Sequence, residues 1–547
     1  MNAARTVWRA AALPLLVAVS AALGCGRGCR GGAPASPSAS SGEALARARC
    51  VACHRLPGPE VLPRAAWREV LSDMTAILER AGSPLAAEER SAIERWYAAQ
   101  APELLPVRRG LPGATPSPLA FGRLAFAPRG APPVPGISHL WWADLYGDAR
   151  PELVATDMRS GLVLVGHPWQ DRRLRIVARL PHPSHVEACD LDGDRRRDLV
   201  VADLGTIEPA DHHRGQVVWL RREGRGFRSV QLAGGLGRVA DVRPVDLDGD
   251  RDLDLLVAVF GFRATGRLLW LEQRREAAAL PGFVVHEIDP RHGAVACEAR
   301  DLDGDGALEV IALFAQEHEA LVAYELHREG EGGLRFAART LWRAPHPAWG
   351  SSGMRVADLD GDGDLDVVLA NGDVLDDHRL KPYHGLRWVE QRPGGRWVPH
   401  ELAPMYGVYG VEVADLDGDG DRDVLACAML PHLEAEQRAA LDPPSVLWLE
   451  QIETRRFVPH VLERQRTDHA SLAAGDMDGD GRVDLALGNL TAYGPERHPI
   501  EAWITVLRNL GGAGALEGAA RRAGDGGERG AAVAPAPSPG RESPEGP

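Results

Sequence analysis

The 547-residue sequence contains no run of more than three basic residues, and its formal net charge is −15. Proteins that bind nucleic acid carry a basic patch or stripe, so this composition argues against a nucleic-acid partner. Cysteine is also scarce: of the seven, Cys189, Cys297 and Cys427 stand singly in strand-like runs. Scattered cysteines do not make a disulfide framework, and we interpret these three as small buried apolar residues.

Beyond the N-terminus, no apolar run is long enough to predict a transmembrane helix. Arg5 and Arg9 precede "AAALPLLVAVSAALG", the shape of an export signal. "AALGC" then resembles a bacterial lipobox, although Leu23 lies one place nearer Cys25 than the usual leucine. We therefore expect residues 1–25 to direct the chain to the periplasm or cell envelope. Lipidation of Cys25, the only membrane attachment we expect, and plain secretion are both open.

Composition divides the next part of the chain. Residues 26–43 form a Ser-, Pro- and Gly-rich linker that we expect to be disordered. Residues 44–105 place apolar side chains at helical spacing and predict three helices, one of them around "EALARARCVACH". A later helix is expected to start at Ser83 and Pro84. Residues 106–136 are rich in Pro and Gly and connect this segment to the rest.

Residues 137–510 repeat one acidic motif. Its seven forms are "DLYGDARPE", "DLDGDRRRD", "DLDGDRDLD", "DLDGDGALE", "DLDGDGDLD", "DLDGDGDRD" and "DMDGDGRVD". They begin at Asp144, Asp190, Asp246, Asp301, Asp358, Asp415 and Asp476, at intervals of 46, 56, 55, 57, 57 and 61 residues. A unit that recurs at such a period predicts a repeat architecture. The tail at residues 511–547 has almost no bulky apolar side chains, and we expect it to be disordered.

Each repeat contains four strand-like runs, which is typical of a propeller blade. We therefore predict an all-β seven-bladed β-propeller with a small N-terminal α-helical domain resembling cytochrome c. The seventh unit ends at "AWITVLRNLGG" without a fourth run. The segment "LAFGRLAFAP" offers a closing strand at residues 120–128, which would leave the ring without a free edge.

The pattern DxDGDxxxD places acids at loop positions 1, 3, 5 and 9, with glycine at position 4. Ca²⁺ takes six to eight oxygens, and acids this close repel one another without a cation. The alternative is an acidic hairpin without an ion. The first loop carries Tyr146 in place of its second acid and is not assigned an ion. The predicted ligands are Asp190, Asp192, Asp194 and Asp198; Asp246, Asp248, Asp250 and Asp254; Asp301, Asp303, Asp305 and Glu309; Asp358, Asp360, Asp362 and Asp366; Asp415, Asp417, Asp419 and Asp423; and Asp476, Asp478, Asp480 and Asp484.

The motif CxxCH occurs once, as Cys50, Cys53 and His54. In haem c attachment the two thiols bond the porphyrin and the histidine ligates the iron. A zinc site would need further Cys or His within residues 44–105, where none lies, and a thioredoxin-like site would need a βαβ context. We therefore predict covalent haem c. Met74, the only methionine of the segment, is either its sixth ligand or a core residue.

In a propeller the loops opposite the acidic hairpins lie around one end of the central channel. Here those loops are rich in histidine, aromatic and acidic residues, which favours a funnel that binds a ligand. The alternative is that these loops are merely polar. The candidate funnel residues are His185, His292, Glu317, His318, Trp349, Asn371, Asp373, Lys381, Tyr383, His384, Tyr406 and His469.

The repeats resemble the FG-GAP/VCBS family, whose integrin-like propellers bind calcium in the first hairpin of each blade. The whole chain resembles bacterial exported proteins with a small c-type haem segment before such repeats. The resemblance implies electron transfer or redox-linked ligand binding at the cell envelope, with a redox protein or a small-molecule or polymer ligand as partner. An oxidoreductase that passes electrons from the funnel to the haem, and a non-redox adhesion module, are the alternatives.

Overall fold

The structure is a computed structural model. It describes residues 41–51, 54–128, 130, 132–167, 173–274, 281–329, 333–375, 377–491 and 502–512. The expected export signal with Cys25, the haem-motif cysteine Cys53 and the C-terminal tail from residue 513 therefore lie outside the described residues. In the part of the chain that is described, no helix is long and apolar enough to cross a membrane.

In the part of the chain that is described, three helices and two short 3₁₀ turns precede the strands. They are α1 (Gly42–Cys50), the turns Pro59–Val61 and Arg64–Ala66, α2 (Trp67–Arg80) and α3 (Ala87–Gln100). The expected start of the last helix at Ser83 and Pro84 was wrong. The helix begins at Ala87 instead. The backbone N–H of Ala86 donates to Glu89 Oε2 at 3.0 Å, and this bond stabilises the first turn at that position.

The helical segment has its own small core. Trp67 of α2 stacks on Tyr97 of α3, with ring centroids 3.7 Å apart. Both polar ring atoms are satisfied, because the Trp67 indole donates to the carbonyl of Pro59 at 3.1 Å and the Tyr97 hydroxyl to that of Pro57 at 3.0 Å. Such hydrogen bonds allow large aromatic side chains to be fully buried.

Among the described residues, twenty-eight strands follow. Blade by blade, they are β1 (Leu119–Phe126); β2 (Ile137–Ala143), β3 (Glu152–Asp157), β4 (Leu162–Gly166) and β5 (Leu174–Arg179); β6 (Pro183–Cys189), β7 (Asp198–Asp203), β8 (Gly215–Glu223) and β9 (Gly226–Leu236); β10 (Val239–Val245), β11 (Asp254–Val259), β12 (Arg267–Arg274) and β13 (Gly282–Asp289); β14 (Ala294–Arg300), β15 (Glu309–Phe314), β16 (Ala320–Glu329) and β17 (Gly333–Arg343); β18 (Ser351–Ala357), β19 (Asp366–Asn371), β20 (Gly385–Arg392) and β21 (Arg396–Pro404); β22 (Val408–Ala414), β23 (Asp423–Ala428), β24 (Pro444–Glu453) and β25 (Arg456–Arg464); and β26 (His469–Gly475), β27 (Asp484–Asn489) and β28 (Ile504–Gly512). One more helix, α4 (Ala435–Leu441), lies between β23 and β24.

The strands form seven four-stranded antiparallel sheets, each a blade. Blades 1 to 6 use four consecutive strands from β2 onwards, and blade 7 has the order β1-β28-β27-β26. The second strand of every blade is buried along its whole length, because it is packed between neighbouring blades. The prediction of a seven-bladed propeller with a small helical N-terminal unit is confirmed.

The first strand of the chain closes the ring. β1 pairs antiparallel with β28, so that Leu124 lies opposite Val506 and Phe126 opposite Ile504. This is the pairing expected for residues 120–128, and it supplies the fourth strand that the seventh repeat lacks. The closure removes an unpaired strand edge, which is otherwise a site of aggregation.

Recurrent residues of the third and fourth strands have a common structural role. In blade 3, His286 Nε2 lies 2.7 Å from Glu272 Oε2, and its ring lies over Trp270 with centroids 4.7 Å apart. Blades 5 and 6 contain the same trio, at Trp388, Glu390 and His400 and at Trp448, Glu450 and His460. The recurring "WLEQ" and "PH" phrases are thus explained by packing within each blade.

The amide that follows this glutamate links neighbouring blades. Gln391 Nε2 donates to the carbonyl of Leu302 in the acidic loop of the preceding blade at 2.7 Å. Gln451 makes the same contact with Leu359 at 2.9 Å. These bonds fix each acidic loop to the next blade, so the loop positions depend on the closed ring.

Candidate functional site

Antiparallel pairing divides the loops between two faces. The acidic loops join the first and second strands of each blade, and they lie on one face with the third-to-fourth connections. The second-to-third connections and the links between blades lie on the opposite face. We call these the acidic face and the histidine face.

The acidic loops are held in shape by their own backbone. In blade 4, Asp301 Oδ1 accepts from the N–H of Gly304 at 2.7 Å, and Glu309 Oε2 from that of Leu302 at 2.8 Å. Gly304 has φ 77°, a left-handed conformation that favours glycine. The first loop, with Tyr146, has the same bond from Gly147 to Asp144 at 2.8 Å. The turn therefore forms without the full set of acids.

Carboxylate oxygens converge in these loops. In four of them, three acids bring one oxygen each to within 4.8 Å of the others, which suits a cation. These sets are Asp190, Asp192 and Asp194; Asp246, Asp248 and Asp250; Asp301, Asp303 and Glu309; and Asp358, Asp360 and Asp366. The acids of blades 6 and 7, including Asp415, Asp417, Asp419, Asp476, Asp478 and Asp480, occupy the same loop positions.

The fourth acid of each loop is the first residue of the second strand and is buried. Burial raises the pKa of Asp366 and Asp423 to about 7 and that of Asp198, Asp254 and Asp484 to about 6, and neighbouring acids add to the shift. A cation in the loop would favour their charged form.

Arginines contact some loops and not others. Arg455 Nη2 lies 2.6 Å from Asp360 Oδ2, and Arg328 Nη2 lies 3.1 Å from Asp248 Oδ2, each from the following blade. Where side chains are described, Asp303 has no arginine partner. An arginine competes with a cation for the same carboxylate, so the loops are not equivalent as metal sites.

The helical segment packs on the histidine face. The Tyr383 hydroxyl donates to the carbonyl of Val61 at 3.2 Å, and its ring packs against the helical core. Two ion pairs flank this contact: Arg263 with Asp73 at 3.1 Å, and Arg379 with Glu69 at 3.6 Å. The haem-motif segment therefore lies across blades 3 to 5.

This packing creates one narrow cleft between the two units. The haem-motif histidine, His54, lies in its wall on the helical side. The lining residues are His54, Arg55, Glu317, His318, Glu319, Arg343, Ala344, His346 and Pro347. The cleft thus brings the CxxCH histidine to the histidine face.

The described haem-motif residues fit the attachment of a haem. His54 Nδ1 lies 2.8 Å from the carbonyl of Arg55, so Nδ1 carries the proton and Nε2 presents its lone pair. Cys50 ends α1 and is half-buried. Met74 is half-buried and lies outside the buried cluster of the helical segment, as do Ile77 and Leu78. The three apolar side chains lie at helical spacing on one face of α2, which suits a porphyrin.

His292, Glu317 and His318 come together beside the cleft. His292 Nε2 lies 2.8 Å from Glu317 Oε1, and the two imidazole centroids are 5.0 Å apart. Burial alone would raise the pKa of Glu317, but the hydrogen bond and charge of His292 lower it to about 2. Burial lowers the pKa of His318 to about 4. At neutral pH the carboxylate is therefore ionised and the His318 imidazole neutral.

An aromatic cluster continues on the far side of the cleft. Trp349 stacks on Tyr383 with centroids 5.5 Å apart, and His346 meets Tyr383 edge-on at 4.5 Å. Burial lowers the pKa of His346 to about 4 and takes that of His384 well below its usual range. Within the described residues, neither ring nitrogen of His384 has a hydrogen-bond partner.

The two units agree with two family models. Residues 190–257 and 301–369 match FG-GAP-like repeats, and residues 46–123 match the dihaem cytochrome c family. Two stretches of the propeller are thus similar to FG-GAP-like repeats, and the segment before it is similar to a cytochrome c domain. The sequence has one CxxCH motif, whereas that family's name refers to two haems.

No curated protein matches this sequence. Among 274 matching chains of solved structures is a crystal structure of BBS1N in complex with ARL6DN, soaked with mercury. It is similar over 73% of this chain and 97% of that chain, with 14% sequence identity and a TM-score of 0.39. The number of blades follows from the strand pairing of the FG-GAP propeller itself.

Four further candidates lie on the histidine face of the FG-GAP propeller but are engaged by neighbours. The amide nitrogen of Asn371 donates to the carbonyls of Trp349 and Tyr383. The other contacts are Asp373 with the Tyr409 hydroxyl, Lys381 with Asp377 at 3.1 Å, and the Tyr406 hydroxyl with the backbone N–H of Arg108 at 2.8 Å.

His185 and His469 belong to strands and not to the loops in which they were expected. His185 Nε2 lies 3.0 Å from Glu187 and 3.2 Å from Asp241 inside the ring. Both nitrogens of His469 are engaged, with Asn489 at 2.7 Å and Glu463 at 3.0 Å. Glu187 lies in β6 with His185, whereas Asp241, Glu463 and Asn489 lie in other strands, which spacing in the sequence does not reveal.

Sequence reasoning missed His346, Glu319 and the docking arginines. His346 stands in "APHPAWG", three residues before Trp349, and that proximity was a usable signal. Glu319 accepts from the N–H of Gly350 at 2.9 Å, and burial raises its pKa to about 8. Arg263 and Arg379 carry no signal, because arginine is frequent throughout this chain.

Proposed function

We propose that this protein is an exported, calcium-stabilised FG-GAP propeller that carries one covalent haem c and transfers electrons at the cell envelope. The observation that carries the proposal is the cleft, which is lined by His54 together with Glu317, His318 and His346. A CxxCH histidine at this position would bring a redox group to a part of the propeller that is lined by titratable side chains.

In this proposal Cys50 and Cys53 bond the haem, His54 Nε2 ligates its iron, and Met74 is the sixth ligand. The haem, when bound, supplies one-electron redox chemistry. The chain holds the His54 proton on Nδ1 and positions the apolar face of α2, with Ile77 and Leu78, against the group. The partner is a redox protein, or a small-molecule or polymer ligand of the histidine face, and any membrane attachment is through lipid on Cys25.

Calcium is the second part of the proposal. The converging carboxylates of the six intact loops support it, since Ca²⁺ prefers oxygen ligands from one tight loop. Six ions would bring the formal net charge from −15 to about −3. The acidity of the chain then reflects metal ligation and not affinity for a basic partner.

The test is an absorbance spectrum and a redox titration of the full chain produced with haem-maturation enzymes. We expect a covalent haem signal that survives denaturation and that the double variant Cys50→Ala, Cys53→Ala abolishes. The matched control is Cys427→Ala, a buried thiol of blade 6, which should retain the haem. A wild-type protein without covalent haem would end the electron-transfer proposal.

A second candidate function is oxidation of a small substrate at the histidine face, with electrons passed to the haem. The observation that favours it is the buried cluster of Trp349, Tyr383 and His384 with its unpartnered imidazole. Substrate-dependent haem reduction that His384→Ala abolishes, and that His327→Ala on an outer strand retains, would support it. Failure of a broad substrate panel to reduce the haem would favour pure electron transfer.

Ligand binding that survives removal of both haem cysteines would instead favour an adhesion module.

A further inference from the structure

We infer that His292, Glu317 and His318 form a binding site for one divalent transition-metal ion. One ligand atom from each residue lies within 4.8 Å of the other two. His292 Nε2 lies 2.8 Å from Glu317 Oε1, and the imidazole centroids of His292 and His318 are 5.0 Å apart. The three donors are therefore grouped around one point.

Two connections of the propeller create this geometry. His292 lies between β13 and β14, and Glu317 and His318 lie between β15 and β16. The N–H of Ala315 donates to the carbonyl of Gly293 at 2.8 Å and ties the two connections together. The ligands therefore stand on neighbouring, mutually fixed turns of blade 4 and its junction with blade 3.

The site contains a shielded polar atom that needs a partner. Within the described structure, His318 Nε2 is inaccessible to solvent and has no hydrogen-bond partner. Buried polar atoms without partners are rare in folded proteins and call for an explanation. A bound ion would coordinate the His318 imidazole, and its binding would release the proton that His292 Nε2 shares with Glu317 Oε1.

The donor set decides the class of ion. Two imidazoles and one carboxylate suit Zn²⁺ or Fe²⁺ and differ from the all-oxygen loops of the acidic face, which suit Ca²⁺. Three protein ligands also leave coordination positions for water or a small molecule. The inference rests on the propeller alone and does not depend on the proposed electron transfer.

The cleft gives the site its context. His318 and Glu317 line the cleft that His54 also lines, so the inferred ion and the haem-motif histidine lie at the same cleft. A metal ion here would lie between the cytochrome segment and the propeller.

The experiment is a Zn²⁺ titration of the full-length protein by calorimetry, after chelator treatment and in saturating Ca²⁺ to fill the acidic loops. We expect one equivalent of Zn²⁺ to bind, with at least ~100-fold weaker affinity in Glu317→Gln and in His318→Gln. The matched control is His327→Gln of the same blade, whose half-buried imidazole lies 3.5 Å from Glu325 without a second histidine. It should bind Zn²⁺ like the wild type.

Co²⁺ spectra provide the second readout. They are recorded on Cys50→Ala, Cys53→Ala protein, because haem absorbance would cover the ligand-field bands. Bands typical of nitrogen and oxygen ligands that disappear in His292→Gln support the site, whether or not the wild type carries haem. Folding of each variant is checked by circular dichroism, and a variant that fails is replaced by one of the other two ligand substitutions. The inference is overturned if the wild type binds no equivalent, or if folded ligand variants bind as tightly as His327→Gln.

Discussion

The two faces of the FG-GAP propeller use the same blades but differ in what is repeated. On the acidic face nearly the same loop recurs in blades 2 to 7, and backbone hydrogen bonds hold each copy. On the histidine face each connection is different, and the chemistry is concentrated in blades 3 to 5 under the helical segment. The acidic face therefore repeats one loop around the ring, whereas the candidate site is confined to one irregular region of the histidine face.

The largest expected effect compares two acidic loops. Asp303→Ala removes an acid with no arginine partner among the described contacts, and Asp360→Ala removes one already paired with Arg455. Because an ion that binds only the folded loop stabilises it by its binding free energy, we expect Asp303→Ala to lose up to ~3 kcal/mol in millimolar Ca²⁺ and Asp360→Ala less. Melting temperatures with Ca²⁺ and with chelator measure the difference. Equal melting temperatures for Asp303→Ala and wild type in Ca²⁺ would remove the metal assignment from blade 4.

A smaller effect is expected from pH on the histidine face. Burial, with Lys381 and Arg387 nearby, lowers the pKa of His346 to about 4 in the folded protein, below its unfolded value. Between these two pKa values His346 is protonated in the unfolded chain and neutral in the folded chain. The free energy of unfolding therefore falls as pH falls from about 6.5 towards 4. We expect His346→Gln to reduce the loss between pH 6.5 and pH 5 by about 2 kcal/mol.

The measurement is the melting temperature of His346→Gln at several pH values. His327→Gln, which replaces a more exposed histidine, is the control. Only the change with pH is compared, because the substitution also removes ring contacts with Trp349 and Tyr383. An acid loss of stability in His346→Gln as steep as in the wild type would contradict the assignment.

The smallest effect concerns the docking ion pairs. The Arg263 and Asp73 side chains are 27% and 52% exposed, and such pairs contribute about 0.2–1 kcal/mol. A double-mutant cycle with Arg263→Ser and Asp73→Ser should give a coupling in this range that decreases at high salt. Proteolysis rates of the helical segment in the four proteins report the coupling. A coupling that salt leaves unchanged would show that packing at Tyr383, and not charge, positions the segment.

Periodicity explains why most of the fold was predictable. The interval of the acidic motif gives one blade per repeat, and the missing run of the seventh repeat points to "LAFGRLAFAP" as its partner. The start of α3 was not predictable, because Pro84 is compatible with a helix start while the bond from Ala86 to Glu89 depends on the folded turn. The exact start of a helix depends on a few residues with competing preferences, whereas the blade count rests on a motif that occurs seven times.

The candidate site was predictable only in part. Glu317, His318, Trp349 and Tyr383 were found because polar and aromatic residues cluster in loops of one face. His185 and His469 were misplaced because their loops end earlier than composition indicates. The cleft itself could not be predicted, since it depends on where a separate helical unit packs, and a few long-range contacts with no period decide that.

The closing strand also sets an order of events during folding. Arg123 of β1 contacts Thr505 of β28 across 382 residues of sequence, so β1 is synthesised long before its partner exists. Contacts at such separation form slowly, because a long loop must close first. The haem-motif cysteine Cys50 precedes β1 and becomes available while the ring is still open. Haem attachment can therefore precede propeller closure, and a chain interrupted before β28 would leave a hydrophobic first strand without a partner.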